Sequence, residues 1–252
     1  NGSVIRPASF CGTFGFKPTR GVISREGILQ TSMSLDQVGC FGRTLADVAL
    51  LTDAISGYDQ RDPESIARPL PDILAGAVSE APVVPNFAWL DLPFYGRLDD
   101  DARDGLDHVL GMIGSQVTRM TAADTLSNLV AVQARIHEYE ICQHQRDVFD
   151  THWDQVSETL KPQIFFADFF SEFDAIIAPS AAGEAPKFGD GTGDPIFCTL
   201  WTLAGLPCVT IPLLIGDTGL PVGVQLVGPV ERDDRLLRTA HWLQKHLAAT
   251  AD

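Results

Sequence analysis

Val209-Thr210-Ile211-Pro212, the turn Asp217-Thr218-Gly219, and Val222-Gly223-Val224-Gln225-Leu226-Val227 read as two strands joined by a hairpin. A helix follows them. Asp233 stands at its start, and Leu236, Leu237, Ala240, Leu243 and Leu247 recur along one face. Just upstream, Asp194 to Leu203 has a helical pattern that ends at Gly205. Before it, Asp174-Ala175-Ile176-Ile177-Ala178-Pro179 is a short buried strand, and Ser180 to Thr192 is a loop of small residues. Strands alternating with helices predict a layered α/β fold.

The same alternation continues toward the N-terminus. Gln116 to Met120 reads as a strand. Asp99-Asp100-Asp101 begins a helix at its positive end, with Leu106, Val109, Leu110 and Ile113 as its apolar stripe. Val83-Val84-Pro85 and Phe87-Ala88-Trp89-Leu90 read as a strand broken by proline, and Tyr58 to Ala81 as a connector. Thr44 and Asp47 form a capping-box pattern for a helix through Ile55, with Gly57 as its stop. Asn1 to Gly42 reads as loops with one early helical turn and a strand near Gln37–Phe41. Thr121 to Phe149 is expected as a long helix or helix pair, and Pro162 interrupts the next one. Phe165, Phe166, Phe169, Phe170 and Phe173 have the spacing of a core face.

Composition narrows the functions open to such a fold. The 252 residues carry a formal net charge of −15, the wrong sign for neutralising phosphates, so nucleic acid is not an expected partner. The five cysteines are odd in number and contain no C-x-x-C pair, which argues against a disulfide framework or a cysteine zinc site and for reduced thiols in the cytoplasm. No apolar run reaches about 18 residues, so no membrane span is expected. His137 and His144 are too far apart for a paired metal site, and His241 and His246 read as surface or packing residues of the last helix. The three aspartates at 99–101 read as a helix start, not a cation site.

The chemistry concentrates at Asn1-Gly2-Ser3-Val4-Ile5-Arg6-Pro7-Ala8-Ser9-Phe10-Cys11-Gly12. A Gly-Ser pair among small residues lets backbone approach a ligand closely. A serine there can act as a nucleophile, with neighbouring N–H groups as an oxyanion hole. By itself such a pair also marks an ordinary turn, and there is no G-x-S-x-G elbow.

The wider context resembles the amidase signature family. That family has Gly-Gly-Ser, a short spacer, Arg, Pro-Ala, then Cys-Gly and Gly-Phe-Lys-Pro-Thr; this chain runs from Asn1 through Gly15-Phe16-Lys17-Pro18-Thr19. Ser34-Leu35-Asp36-Gln37-Val38-Gly39, Arg43-Thr44 with Asp47, Thr202-Leu203-Ala204-Gly205-Leu206-Pro207 and Gly219 to Gly228 match further blocks in order. The resemblance is strong at both ends and thin from about Tyr58 to Phe173.

The resemblance implies a three-layer α/β/α sandwich around a mixed sheet and a Ser-Ser-Lys triad working without metal or organic cofactor. By motif position Ser3 is the nucleophile, and the backbone N–H groups of Asn1, Gly2 and Ser3 form the oxyanion hole. Asn1 replaces the family's usual glycine, and asparagine tolerates left-handed backbone better than most residues. The triad lysine and bridging serine belong upstream of Gly-Ser. Residues 1–252 are thus expected to be part of a single amidase domain whose N-terminal portion lies outside them, and to be inactive alone. Lys17 falls in a structural block and is not the expected base. Cys11 reads as a buried packing residue, not a nucleophile.

Arg6 stands three residues after Ser3, a spacing that resembles malonamidase-type members, where the arginine meets a substrate carboxylate. The other reading pairs it internally with a carboxylate such as Asp36. The implied activity is hydrolysis of a small-molecule amide to an acid and ammonia or amine by a cytoplasmic homodimer. The alternatives are a non-catalytic scaffold and an amidotransferase A-type subunit.

Overall fold

The computed structural model of the chain describes residues 2–28, 32–65, 67–121, 129–133, 136, 170 and 172–250. Seven strands form one sheet: β1 (Phe14–Lys17), β2 (Cys40–Gly42), β3 (Phe87–Asp91), β4 (Val117–Thr121), β5 (Ala175–Pro179), β6 (Cys208–Ile215) and β7 (Pro221–Val227). Their order is β2-β1-β6-β7-β5-β3-β4. The β5–β3 and β3–β4 pairs are parallel and the other four antiparallel, so the sheet is mixed. The described helices are α1 (Ile5–Cys11), α2 (Leu45–Ile55), α3 (Ile73–Val78), α4 (Asp100–Ile113), α5 (Ile196–Leu203) and α6 (Asp233–Thr250).

Two helices cover one face of the sheet. The Ala8 side chain of α1 lies against Gly15 of β1, and Ser9 meets Gly223 of β7. From α5, the Phe197 carbonyl accepts from Gln225 Nε2 on the same face. Helices α2, α3, α4 and α6 pack together on the other side, where Leu236 of α6 lies against Gly228 and α3 crosses α6 at Gly76. The α6 stripe behaves as its spacing predicts: Leu236, Leu237, Ala240 and Leu243 are completely buried and Leu247 nearly so. Each fully buried leucine is worth about 1.5–3 kcal/mol. Phe170 and Phe173 are buried as expected of a core face. Phe165, Phe166, Phe169, His137, His144 and most of the helix expected over Thr121–Phe149 lie outside the described residues; residues 129–133 are helical.

Several expectations meet the structure at their ends. The capping box forms: Asp47 N donates to Thr44 Oγ1 at 3.1 Å, and Thr44 N donates to Asp47 at 3.0 Å. Helix α2 ends at Ile55, where its spacing ends, but the stop is Ser56 and not Gly57, because Ser56 turns extended and bridges Ile23. Phe14–Lys17 is a strand where the sequence reads as loop. Its glycine looks like a breaker, yet Gly15 is there for contact: a Cβ on it would stand 2.5 Å from the Ala8 Cβ. The edge strand falls at Cys40–Gly42, later than Gln37–Phe41. The connector before Ala81 contains α3, which Asp72 caps by accepting from Ala75 N at 2.8 Å. Val83 and Val84 are exposed and precede the strand.

Candidate active site

Ser3 sits in the turn that enters α1 and is exposed. Gly2 before it has φ +72°, and a Cβ there would meet the Pro195 and Cys198 side chains at 3.3 and 3.4 Å. Both the backbone sign and the space therefore call for glycine. The helical bond from Arg6 N to Gly2 O, at 3.2 Å, leaves the N–H groups that precede Arg6 without partners inside the helix. Two of the three expected oxyanion donors, Gly2 and Ser3, lie in this turn; Asn1 is outside the described residues.

Arg6 is half-buried one helical turn from Ser3. Its Nη2 donates to Thr192 Oγ1 at 3.2 Å, and its Cδ is 3.6 Å from where a Cβ on Gly193 would stand. It has no carboxylate partner among the described residues. Asp36 instead accepts from Ser32 N at 2.9 Å, so the Arg6–Asp36 pair is not formed. No local pattern in the sequence signals the contact with Thr192, which is 186 positions away.

The loop that meets Arg6 also walls a cavity of about 460 Å3, lined by Phe10, Asp99, Glu184, Lys187, Asp190 and Asp194 among others. Ser3 is not in this lining. The cavity lies two helical turns further along α1, beyond Arg6, and its wall is acidic. Burial, and then Asp101, Asp100 and Glu184, push the Asp99 carboxyl above its ordinary range. Glu184 accepts from the N–H groups of Thr218 and Leu220 at 2.9 and 3.0 Å. Arg97 pairs with Asp194 at 2.7 Å. A guanidinium thus lies one helical turn from Ser3, and the carboxylates line the separate cavity near Phe10.

Behind this surface the polar groups are structural. Ser9 is completely buried and accepts from Gly223 N at 2.7 Å. Lys17 is buried, with Nζ donating to Gln37 Oε1 at 2.8 Å and to the Leu206 carbonyl. Burial lowers its pKa. It reaches no serine among the described residues, in keeping with a structural block. Burial also pushes the Cys198 and Cys208 thiols up to about 12 and about 11, which keeps them unreactive. Cys11 corrects the expectation of a packing residue: it is exposed. Ile5, Ala8 and Ser9 define the buried side of α1, and Cys11 falls outside that arc at the helix end.

His246 stacks on Trp242, with centroids 4.6 Å apart, and bonds the Met112 carbonyl at 3.3 Å, which is a packing role. Asp99 to Asp101 start α4 as read. Among the described residues no group of His, Cys, Asp and Glu side chains is arranged to hold a metal, and no helix is long and apolar enough to cross a membrane.

A mixed seven-stranded sheet with helices on both faces is an α/β fold of the kind the resemblance implies. The family model for amidases matches residues 1–84 and 98–237, and the chain belongs to the amidase family. It is 28% identical over 301 aligned positions to the A subunit of the glutamyl-tRNA(Gln) amidotransferase from Microcystis aeruginosa, covering 95% of this chain and 61% of that protein. The crystal structure of the corresponding protein from Thermotoga maritima superposes with a TM-score of 0.79 at 26% identity, over 97% of this chain and 60% of that one. A 6-aminohexanoate cyclic dimer hydrolase shares the fold, with a TM-score of 0.72 at 24% identity, over 100% of this chain and 64% of that one. The chain therefore spans about three-fifths of the length of these relatives.

Proposed function

We propose that residues 1–252 are the serine-bearing part of a single amidase domain that hydrolyses a carboxylic amide, with Ser3 as nucleophile. The observation that carries this reading is the exposed Ser3 in the Gly2 turn, next to an arginine with no acid partner among the described residues. Ser3 Oγ attacks the amide carbon while its proton passes to a base. The C–N bond breaks, and the nitrogen leaves with that proton. Water then cleaves the acyl ester, releases the acid and restores the hydroxyl. The Gly2 and Ser3 N–H groups, with that of Asn1, are the donors for the oxyanion. Arg6 receives a substrate carboxylate through its planar fork. The base is the lysine that the family carries upstream of this motif, acting through a bridging serine. Lys17 is not a candidate, because it is buried with its amine on Gln37 and the Leu206 carbonyl and within reach of no serine among the described residues.

A second reading, ammonia supply within an amidotransferase, is favoured by the amidotransferase relatives. The test uses the full-length protein with a fluorophosphonate probe, intact mass and peptide mapping. One adduct on Ser3 is expected. Labelling at Ser9, Ser32 or Ser34 with Ser3 unmodified sinks the assignment. Ammonia release from simple amides without a second protein favours the hydrolase, and release only with a partner favours the amidotransferase.

A further inference from the structure

Arg25 and Asp62 form an ion pair with side chains only 4% and 1% exposed, far from the solvent that weakens surface pairs. The pairing is a two-pronged fork: Nη2 reaches Asp62 Oδ1 at 2.8 Å and Nε reaches Oδ2 at 3.2 Å. Asp62 also accepts from the Arg25 and Glu64 N–H groups, at 2.7 and 3.0 Å. The fork fixes the plane of the guanidinium and leaves Nη1 aimed elsewhere. It donates to the Met33 carbonyl and, at 3.4 Å, to the Asp36 carbonyl. A buried charge is thus spent on two backbone oxygens of one segment, residues 32–39.

Short bonds within the segment hold its turn. Ser32 N donates to Asp36 Oδ2 at 2.9 Å, Leu35 N to Ser32 Oγ at 3.2 Å, and Asp36 N to Ser32 O at 3.1 Å. At its far end it touches the nucleophile turn. A Cβ on Gly39 would stand 2.8 Å from both Val4 methyl carbons and 2.6 Å from the Phe16 carbonyl oxygen. Val4 is the residue after Ser3. Between these contacts Gln37 accepts from Lys17 and donates to the Thr202 carbonyl at 3.4 Å. A chain of contacts therefore runs from the ion pair through residues 32–39 to Val4, the residue beside Ser3.

We infer that Arg25 and Asp62 are positioning residues for Ser3: the pair holds residues 32–39 by two carbonyls, and Gly39 in turn fixes Val4 and the turn that presents the nucleophile. The inference rests on the reading of Ser3 as nucleophile. Displacement of a reacting group by about 1 Å costs on the order of a hundredfold in rate. The pair should therefore govern how fast bound substrate reacts and not how well it binds.

The test is fluorophosphonate labelling of full-length protein, resolved into kinact and KI, for wild type, Arg25→Lys and Gly39→Ala. Arg25→Lys keeps the charge but cannot hold Asp62 by a fork while bonding both carbonyls. Gly39→Ala leaves the ion pair untouched and pushes directly on Val4. All rates are taken at a temperature where thermal melts and circular dichroism show each variant folded. Either variant that folds should lose about ten- to a hundredfold in kinact with KI within about twofold. Loss of stability with unchanged kinact in Arg25→Lys makes the pair merely structural and overturns the inference. If neither of these two variants folds, Ser32→Ala, which removes the Oγ contact to Leu35 N, is read by the same criterion. A Ser3→Ala protein that still labels and turns over overturns the assignment of the nucleophile instead, so the two failures are distinct.

Discussion

Ser9→Ala isolates one buried hydrogen bond that ties α1 to the sheet. Gly223 lies on β7 just beyond Pro179, the last residue of β5, which pairs with Val224. Its carbonyl still accepts from Ser180 N at 3.3 Å, on the β5 side. Backbone N–H and C=O of one residue in an antiparallel strand point the same way. The Gly223 N–H therefore also faces the gap where β5 has ended, and Ser9 Oγ fills it at 2.7 Å. A side chain from α1 extends the ladder by one bond.

Removing that oxygen leaves the N–H without an acceptor in a place closed to water. Ser9 is 0% exposed, and the ground above Gly223 is already taken by Thr210 Oγ1, Ser9 Oγ and Ser180 Oγ, 2.4, 3.0 and 3.1 Å from a Cβ position. The cost of an orphaned buried donor is about 1–3 kcal/mol. At this chain length each kcal/mol moves the melting temperature by about 2–4 °C, so Ser9→Ala should melt roughly 2–12 °C lower. Urea titration of the full-length protein should show a lower midpoint at unchanged slope. The fluorophosphonate adduct should stay on Ser3. A midpoint equal to wild type would mean that the N–H finds another acceptor, and the ladder argument would then be wrong.

Arg6→Lys should weaken turnover of an amide bearing a nearby carboxylate more than that of a neutral amide. A bidentate charge-assisted contact is worth about 1.5–3 kcal/mol, or roughly a ten- to hundredfold preference; an unchanged ratio of kcat/KM values removes Arg6 from recognition. The Arg25 guanidinium beside Asp62 holds that carboxyl at about 2, below its ordinary 3.8. Its folded pKa is depressed, so its contribution is complete above about pH 4 and is lost as pH falls toward 2. That contribution is about 2 kcal/mol. Asp62→Asn should have a shallower acid limb in denaturation measured from pH 5 to pH 2, and equal limbs would count against the buried pair. Cys11 should be the first of Cys11, Cys40, Cys198 and Cys208 to react with iodoacetamide, and Cys11→Ala should keep most of the turnover. Abolished activity in a folded Cys11→Ala protein would show that the thiol takes part.

Local signals carry much of the architecture. The hairpin of β6 and β7, the α4 start at three aspartates and the α2 capping box are each decided within a few residues, by turn chemistry or helical period. The strand β1 is not legible in the same way. Gly15 looks like loop punctuation, and its reason for being glycine is Ala8 pressing on it from another element. The short α3 is hidden for a similar reason, since six residues give too little period to read and its support comes from α6. Cys11 departs from its motif-based reading because helix phase, not motif membership, decides which side chains are covered.

The site divides along the same line. Ser3, Gly2 and Arg6 are close together in sequence, so a motif can name them. What holds them comes from remote positions: Pro195 and Cys198 behind Gly2, Thr192 on Arg6, Gly39 against Val4, and Gly223 on Ser9. Gly39 belongs to a recognisable block, but its spacing says nothing of what it must touch. The structure gives it a partner within 2.8 Å of its missing Cβ, and that partner is the residue following Ser3. The separate sequence blocks therefore converge on one turn. Their order along the chain is the order in which the fold brings small residues to it, and a substitution that adds bulk at Gly39 should be felt at Ser3 although 35 residues lie between them.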